Sequence, residues 1–204
     1  MDLIELKREQ LRLASKIILE DEVPEKITTI GGAVCIYQAN AILGCIVVCE
    51  FPSFKVIEVK TYLLHDALPH RPGYEAYREM PALLEAYNLL EQEPDLLLVK
   101  GTGILHPRNI GLASHFGLLI NKPTIGVIDK LPLGIVENNI IILNNETVGI
   151  ELKTRDFANP LYCSPGHKIS LQRIQEIIPK TIHYPHKLPE PLHLALKMGK
   201  KKYD

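Results

Sequence analysis

The first third of the chain changes from helical to strand-like periodicity. Apolar residues recur at three- and four-residue spacing over residues 3–20, with charged residues between them, and this predicts an amphipathic helix. Three strand-like runs follow, at residues 28–37, 41–51 and 55–64, separated by three residues each time. Connections this short force neighbouring strands to run antiparallel.

The middle of the chain alternates helices with buried strands. A Pro- and His-containing loop over residues 66–72 leads to a predicted helix, in which Pro81 marks a late start or a kink. The next two apolar strands are separated by one helix, so they are predicted to be parallel. The predicted elements are helices 74–90, 112–120, 170–178 and 191–198, strands 95–99 and 124–128, and a hairpin of 140–143 with 148–152. This order predicts an α/β fold whose mixed sheet has three antiparallel strands, then parallel strands, flanked by helices, as in ribonuclease H-like proteins.

Length and charge set limits on domain number and partners. The 204 residues predict a single domain spanning 1–204. Because 23 Lys and Arg balance 24 Asp and Glu, any basic surface must be local. The basic tail near 197–204 can touch phosphates, but its composition is typical of a solvated, disordered end. No signal-peptide pattern and no apolar run of about 18 residues is present, which predicts a cytoplasmic protein without a membrane partner.

The four cysteines carry no metal-type pair. Cys35, Cys45, Cys49 and Cys163 show no CxxC spacing, and in a reducing compartment they are predicted to be small core residues.

Three histidines near the C-terminus admit two interpretations. His183, His186 and His193 permit a zinc-like arrangement with a carboxylate. Pro185 and Pro189 make the segment extended, which favours histidines that face solvent.

Five motifs, in order and at matching spacing, relate the chain to a known family. It resembles endonuclease V, a family that cleaves DNA or RNA near inosine. The motifs are PGYEAYREMPALL (72–84), GTGILHPRNIGLASHFGLL (101–119), PTIGV (123–127), PGHKIS (165–170) and LPEP (188–191).

The resemblance implies a divalent metal held by carboxylates, one on the first strand and one after the fourth. A metal there would activate water and stabilise the phosphorus intermediate. In this chain Ala33 and Lys100 align with those two positions, and Leu196 aligns with a third acidic or histidine position. Glu79 is the acidic residue of the set that remains. No metal site and no cofactor are therefore expected, whereas Mg²⁺ or Mn²⁺ is expected if the cleavage reaction survives.

A charge exchange accompanies these losses. The family usually carries lysine after the fifth strand, and here the residue is Asp129. We predict that Lys100 pairs with Asp129 or with Glu79, so that its ammonium takes up part of the volume and charge of a metal. The alternative is that Lys100 extends to solvent. Glu79, Lys100 and Asp129 are thus the predicted remnant of a catalytic centre.

The predicted nucleic-acid contacts follow the same resemblance. In the loop resembling the family's wedge, His70 replaces a tyrosine that stacks into the gap left by an extruded base, and Arg71 adds a phosphate contact or stacking surface. An ordinary polar surface loop is the alternative. The glycine-bracketed turn after the fourth strand permits close approach of a base or phosphate, and the residues beyond it offer further anion contacts or serve only as structural hydrogen-bonding groups. The predicted set is His70, Arg71, Pro72, Gly73, Gly101, Thr102, Gly103, His106, Arg108, Ser114, His115 and His167.

Three functions compete on this basis. The first is a family member that binds nucleic acid, inosine-containing or single-stranded, with degenerate metal-dependent cleavage. The second is an active endonuclease that cleaves near inosine with a rearranged metal site. Hard cations need several oxygen ligands, and Glu79 alone does not supply them. The third is an interaction module in which the same surface binds a protein partner.

Overall fold

A nine-stranded mixed sheet runs through the protein, which we describe from a computed structural model covering residues 2–38, 40–155 and 157–203. The strands are β1 (Thr29–Gln38), β2 (Ala41–Glu50), β3 (Val56–Leu64), β4 (Leu96–Lys100), β5 (Thr124–Ile128), β6 (Ile135–Glu137), β7 (Ile140–Leu143), β8 (Glu146–Leu152) and β9 (Leu161–His167). Their order in the sheet is β3-β2-β1-β4-β5-β9-β8-β7-β6. β1 pairs with β2 and β2 with β3 in antiparallel fashion, whereas β1, β4 and β5 are parallel.

Helices cover both faces of this sheet. The helices are α1 (Leu3–Ala14), α2 (Glu75–Asn88), α3 (Leu112–Ile120), α4 (Leu171–Ile177), which continues into a 3-10 turn at Ile178–Thr181, and α5 (Glu190–Tyr203). α2 and α3 bury one apolar cluster against the sheet, and α4 and α5 bury another on the opposite face. At Gly32 of β1 a Cβ atom would lie 2.1 Å from the carbonyl oxygen of Pro191, so glycine lets the start of α5 rest directly on the strand.

The predicted α/β architecture is confirmed: three antiparallel strands are followed by a parallel strand–helix–strand unit, and helices flank the sheet. The order of these elements followed from apolar runs of strand length alternating with segments of helical spacing. Cys45, Cys49 and Cys163 are buried members of one core cluster, as predicted, whereas Cys35 is partly buried against the other cluster. Among the described helices, none is both long and apolar enough to cross a bilayer.

The first helix is shorter than its periodicity predicts. It ends at Ala14, before Ile17 and Ile18. Those two residues continue the helical spacing, but the backbone of Ile18 forms hydrogen bonds with a distant segment. Its carbonyl accepts from the Lys168 N–H at 2.7 Å, and its N–H donates to His167 Nδ1 at 3.2 Å. Tertiary hydrogen bonds therefore override the local helical preference.

The prediction is also incomplete in the C-terminal half. β6 is a three-residue strand, and β9 contains Pro165 and Gly166, residues that normally argue against a strand. β9 nevertheless pairs with β5, and its register shifts beside Thr124, which accommodates the extra residue as a bulge.

Two further predictions need correction. The late start considered for the second helix is wrong, since α2 begins at Glu75 and contains Pro81. The disordered basic end is also wrong for residues 197–203, which lie in α5, although Lys200, Lys201 and Lys202 are exposed. Asp204 lies outside the described residues. Helix α5 stays ordered up to this point because its other side is buried: Gly199 packs against Ile36 and Cys45.

Candidate functional site

A cleft of about 760 Å³ opens where β4 and β5 end. Carboxyl ends of parallel strands are the usual place for ligand sites in α/β sheets. One wall is the start of α2, and another is the loop between β4 and α3. The lining residues are Tyr37, His70, Pro72, Gly73, Glu75, Arg78, Glu79, Lys100, Gly101, Thr102, Leu105, His106, Pro107, Arg108, Leu112, Ile128, Asp129, Lys130, Pro132 and Leu133.

An ion pair joins the ends of β4 and β5 in this cleft. The Lys100 ammonium donates to the Asp129 carboxylate, which is the first of the two pairings that the charge exchange suggests. Lys187, just before α5, places its ammonium 3.6 Å from the other Asp129 oxygen. Partial burial opposes ionisation of Asp129, but the two lysines prevail and lower its pKa. Asp129 is therefore a carboxylate already neutralised by two cations.

The strand register identifies the β1 residue beside Lys100. Ala33 is opposite Val99, so one step further along the same parallel register brings Val34 next to Lys100. Ala33 packs with Val99 in the cluster under α2 and α3, whereas Val34 packs in the cluster under α5. Since successive side chains point to opposite faces, Val34 rather than Ala33 shares the face of Lys100. Both residues are almost completely buried.

Glu79 is a buried carboxylate at the edge of the cleft. It lies in α2 and is only 6% exposed. Burial raises its pKa to about 7, and the negative charge of Glu75 adds to this, while a hydrogen bond from the Tyr37 hydroxyl and the nearby Arg78 guanidinium oppose it. Glu79 thus titrates near neutral pH.

The Gly73 carbonyl anchors the wedge-like loop, residues 69–73, to the cleft wall. Three side chains converge on it: Gln10 Nε2 at 3.0 Å, His106 Nε2 at 3.1 Å, and the Arg108 guanidinium. His106 Nδ1 accepts from the Arg108 N–H at 3.2 Å, so the neutral tautomer with a proton on Nε2 satisfies both ring nitrogens. Burial and the adjacent guanidinium lower the pKa of His106 to about 4, which keeps this tautomer at neutral pH. Arg108 also stacks over the ring of Tyr74, at 4.5 Å.

We predict that substitutions of Arg108 and Arg71 have different effects, because Arg108 anchors the loop whereas Arg71 is available for contact with a ligand. Arg108→Ala removes a charge-assisted hydrogen bond to Gly73 and should lower the free energy of unfolding by about 1.5–3 kcal/mol, with faster hydrogen exchange at the Gly73 amide. Arg71→Ala, at an exposed position of the same loop, should change stability by less than about 0.5 kcal/mol. Denaturant unfolding of both variants measures this. Equal losses of stability would contradict the anchoring role.

The remaining residues of the two loops line the cleft or its base. His70 is exposed, with Nε2 3.8 Å from Glu75 Oε1, and the same Glu75 oxygen accepts from the Gly73 N–H. Gly101 and Thr102 line the cleft. Gly103 lies beneath it, where its N–H donates to Ser164 Oγ at 2.9 Å and a Cβ atom would lie 2.0 Å from the Pro165 carbonyl oxygen.

Three predicted contacts lie inside the protein and outside the cleft lining. Ser114 and His115 are in α3 and nearly fully buried, and their Oγ and Nδ1 atoms have no hydrogen-bond partner among the described residues. His115 packs edge-on against Tyr77, with ring centroids 5.5 Å apart. His167 is 1% exposed and accepts the Ile18 N–H, so it holds the segment after α1.

Sequence reasoning missed three cleft-related residues. Tyr37 opposes the rise in the pKa of Glu79, Gln10 anchors Gly73, and Lys187 contacts Asp129. Tyr37 could have been predicted from the sequence, because it stands at the end of the first predicted strand, which lies inside the sheet beside β4. Gln10 and Lys187 belong to distant segments and carry no local signal.

The fold and the cleft define the class of protein first. A mixed sheet of this order, with a polar cleft at the ends of its parallel strands, is the arrangement of ribonuclease H-like proteins. The family model for endonuclease V matches residues 11–197. The chain belongs to the endonuclease V family.

Individual relatives agree with this membership. The chain is 38% identical to endonuclease V of Dictyoglomus thermophilum over 205 residues, which covers 97% of this chain and 89% of the relative. It is 36% identical to that of Thermofilum pendens, covering 93% and 84%. The crystal structure of endonuclease V from Streptomyces avermitilis superimposes with a TM-score of 0.91 at 26% identity, over 99% of this chain and 93% of that one. The Ciona intestinalis enzyme, in complex with DNA containing an inosine followed by a ribo-adenosine, gives a TM-score of 0.89 at 26% identity, over 98% and 97%.

The cleft does not fit a divalent metal held by carboxylates. Its lining contributes three carboxylates within the described chain, and each already makes a polar contact with protein groups. Glu75 accepts from Gly73, Asp129 is held by two lysines, and Glu79 is buried beside Tyr37. Beside Lys100 stands the apolar Val34. Mg²⁺ and Mn²⁺ require several oxygen ligands directed at one point, and an ammonium at that point repels them.

Proposed function

We propose that this protein binds nucleic acid in the cleft and does not cleave it by carboxylate-held divalent-metal chemistry. The observation that carries the proposal is the Lys100–Asp129 ion pair, extended by Lys187, at the ends of the two central parallel strands. A lysine there repels the ion that family members are expected to hold and leaves the carboxylate neutralised. Val34, beside Lys100, removes a second oxygen ligand.

The rest of the cleft supports a nucleic-acid ligand. Four of its lining residues, Arg78, Lys100, Arg108 and Lys130, are cationic against three carboxylates, so the cleft carries a small local excess of positive charge although the whole chain has a net charge of -1. Its volume exceeds that of a nucleobase, and His70 stands at its rim, where an aromatic ring can stack on a base. A relative with the same fold was crystallised with inosine-containing DNA, which makes an inosine-containing strand the first ligand to test.

Binding and cleavage are tested on the same labelled oligonucleotides. Single-stranded and duplex probes carry one inosine, and matched probes carry guanosine. In EDTA we expect fluorescence anisotropy to report binding to the inosine probe, with log Kobs falling linearly against log salt concentration. With Mg²⁺ or Mn²⁺ we expect no multiple-turnover cleavage.

Each contrary outcome selects one of the other functions. Multiple-turnover cleavage in Mn²⁺ that disappears in Glu79→Gln would establish an active endonuclease with a rearranged metal site. Absence of binding to every probe at low salt would reject the nucleic-acid proposal and favour a protein partner for this surface. Arg71→Ala is the matched surface variant: loss of one phosphate contact should reduce the salt slope by about one.

A further inference from the structure

Outside the cleft, two imidazoles and one carboxylate converge just before and at the start of α5. The side chains of His183, His186 and Glu190 offer ligand atoms that all lie within 4.8 Å of one another. His186 Nδ1 and Glu190 Oε2 are 2.6 Å apart. Among residues 2–38, 40–155 and 157–203, no other three His, Cys, Asp or Glu side chains bring their ligand atoms this close together. The carboxylates of the cleft are not part of the group.

The backbone positions the three groups on one small frame. The His186 N–H donates to the His183 carbonyl at 2.9 Å, and this turn brings the two imidazoles side by side. Glu190 is the first residue of α5 and is 8% exposed, so its carboxylate is held at the rigid start of the helix. The ring of His186 also stacks on His193, with centroids 3.5 Å apart and planes 13° apart. Two of the three groups are therefore fixed, while His183 is exposed and can turn toward them.

We propose that His183, His186 and Glu190 form a binding site for a borderline divalent transition metal ion of the Zn²⁺ type. Two imidazoles with one carboxylate are a known zinc set, whereas Mg²⁺ prefers oxygen ligands throughout. Ligand atoms of a tetrahedral zinc site lie roughly 3.3 Å apart, given metal–ligand bonds of about 2.0–2.1 Å. Reaching that spacing requires His186 and Glu190 to separate slightly and His183 to move inward. Three protein ligands leave a fourth position for water.

An ion bound at this site would affect the cleft through Lys187. Lys187 lies between two of the ligands, and its ammonium is 3.6 Å from Asp129 Oδ1 in the cleft. An ion that fixes residues 183–190 would also fix Lys187 and, through it, the charge around Asp129. The proposed ion acts at a distance from the cleft and does not restore the missing carboxylate ligands.

The test is a metal titration of the full chain without an affinity tag, because a histidine tag would bind the same ions. Calorimetry with Zn²⁺ should give one ion per chain, with a Kd on the order of 1 µM or lower. Co²⁺ in place of Zn²⁺ should give visible absorption of a low-symmetry site. At a zinc concentration of 100 times Kd, Tm should rise by about 5–10 °C.

Variants assign the ion to these residues. His183→Ala should raise Kd at least about tenfold while the apo protein stays folded, because His183 is exposed. Glu190→Gln should do the same, with far-UV circular dichroism to verify its fold. His65→Ala, at another exposed histidine, should leave Kd unchanged. No zinc binding, zinc binding unchanged in His183→Ala, or displacement of zinc by 1 mM Mg²⁺ would overturn the proposal. These readouts involve no oligonucleotide, so they stand or fall separately from the proposed function.

Discussion

Val34→Asp combined with Lys100→Asp is expected to create a Mn²⁺ site in the cleft. The register puts these residues side by side on neighbouring parallel strands, about 4.8 Å apart, on the same face of the sheet. Two carboxylates at that spacing can share one divalent ion, whose charge offsets their repulsion. Removal of Lys100 also frees Asp129 from one of its two lysines, which leaves its Oδ2 atom as a nearby oxygen donor. Calorimetry should detect Mn²⁺ binding by this variant, and we expect none in the cleft of the unmodified protein.

Stability reports on the same site without relying on activity. One buried and one partly buried carboxylate without metal should lower the free energy of unfolding by about 2–5 kcal/mol, and saturating Mn²⁺ should recover part of that loss. Cleavage of an inosine-containing oligonucleotide in Mn²⁺ would show that the rest of the cleft is still competent.

The matched control places the first aspartate at Ala33 instead of at Val34. Ala33→Asp with Lys100→Asp introduces the same charges, but Ala33 faces the apolar cluster under α2 and α3. This variant should be destabilised to a similar extent and should gain no Mn²⁺ site. Metal binding by the Ala33 variant and not by the Val34 variant would mean that the side chains face the cleft differently from the register.

The choice between Ala33 and Val34 marks what the sequence could and could not predict. Strand and helix order followed from periodicity. The charge exchange left Asp129, Glu79 or solvent as partners for Lys100, and the structure shows the pairing with Asp129. A shift of one residue, however, moves a side chain to the opposite face of a sheet. Because Gly31 and Gly32 are adjacent, aligning the motif by its glycine can be wrong by one residue. The hydrogen-bonded register between β1 and β4 fixes the position.

Long-range contacts account for the other gaps. Gln10 reaches Gly73 and Lys187 reaches Asp129 across large sequence separations, and neither residue stands in a motif. Arg108 was predicted as a phosphate contact, a role that stays a prediction, while the structure shows its guanidinium bound to the Gly73 carbonyl. The sequence shows which residue types are available, but only the fold shows which of them already have partners.

Glu79→Gln is expected to stabilise the protein above neutral pH and to remove a pH dependence of its stability. In the unfolded chain a glutamate ionises near its ordinary pKa of 4.5, whereas burial raises the pKa of Glu79 to about 7 in the folded protein. Between these values the folded state binds more protons than the unfolded state, so the free energy of unfolding falls as pH rises from about 4.5 to 7. Well above pH 7 the full penalty is present, on the order of 3 kcal/mol. A glutamine of nearly the same shape avoids it.

Denaturant unfolding at pH 5 and pH 8 measures this penalty. The difference in stability between Glu79→Gln and the unmodified protein should be below about 1 kcal/mol at pH 5 and reach about 3 kcal/mol in favour of glutamine at pH 8. Glu85→Gln, at an exposed position of the same helix, controls for the loss of one negative charge. A larger advantage of glutamine at pH 5 than at pH 8 would contradict the direction of the shift. Stabilisation by glutamine would show that the Glu79 carboxylate destabilises the folded protein, so that stability does not explain a carboxylate at the edge of the cleft.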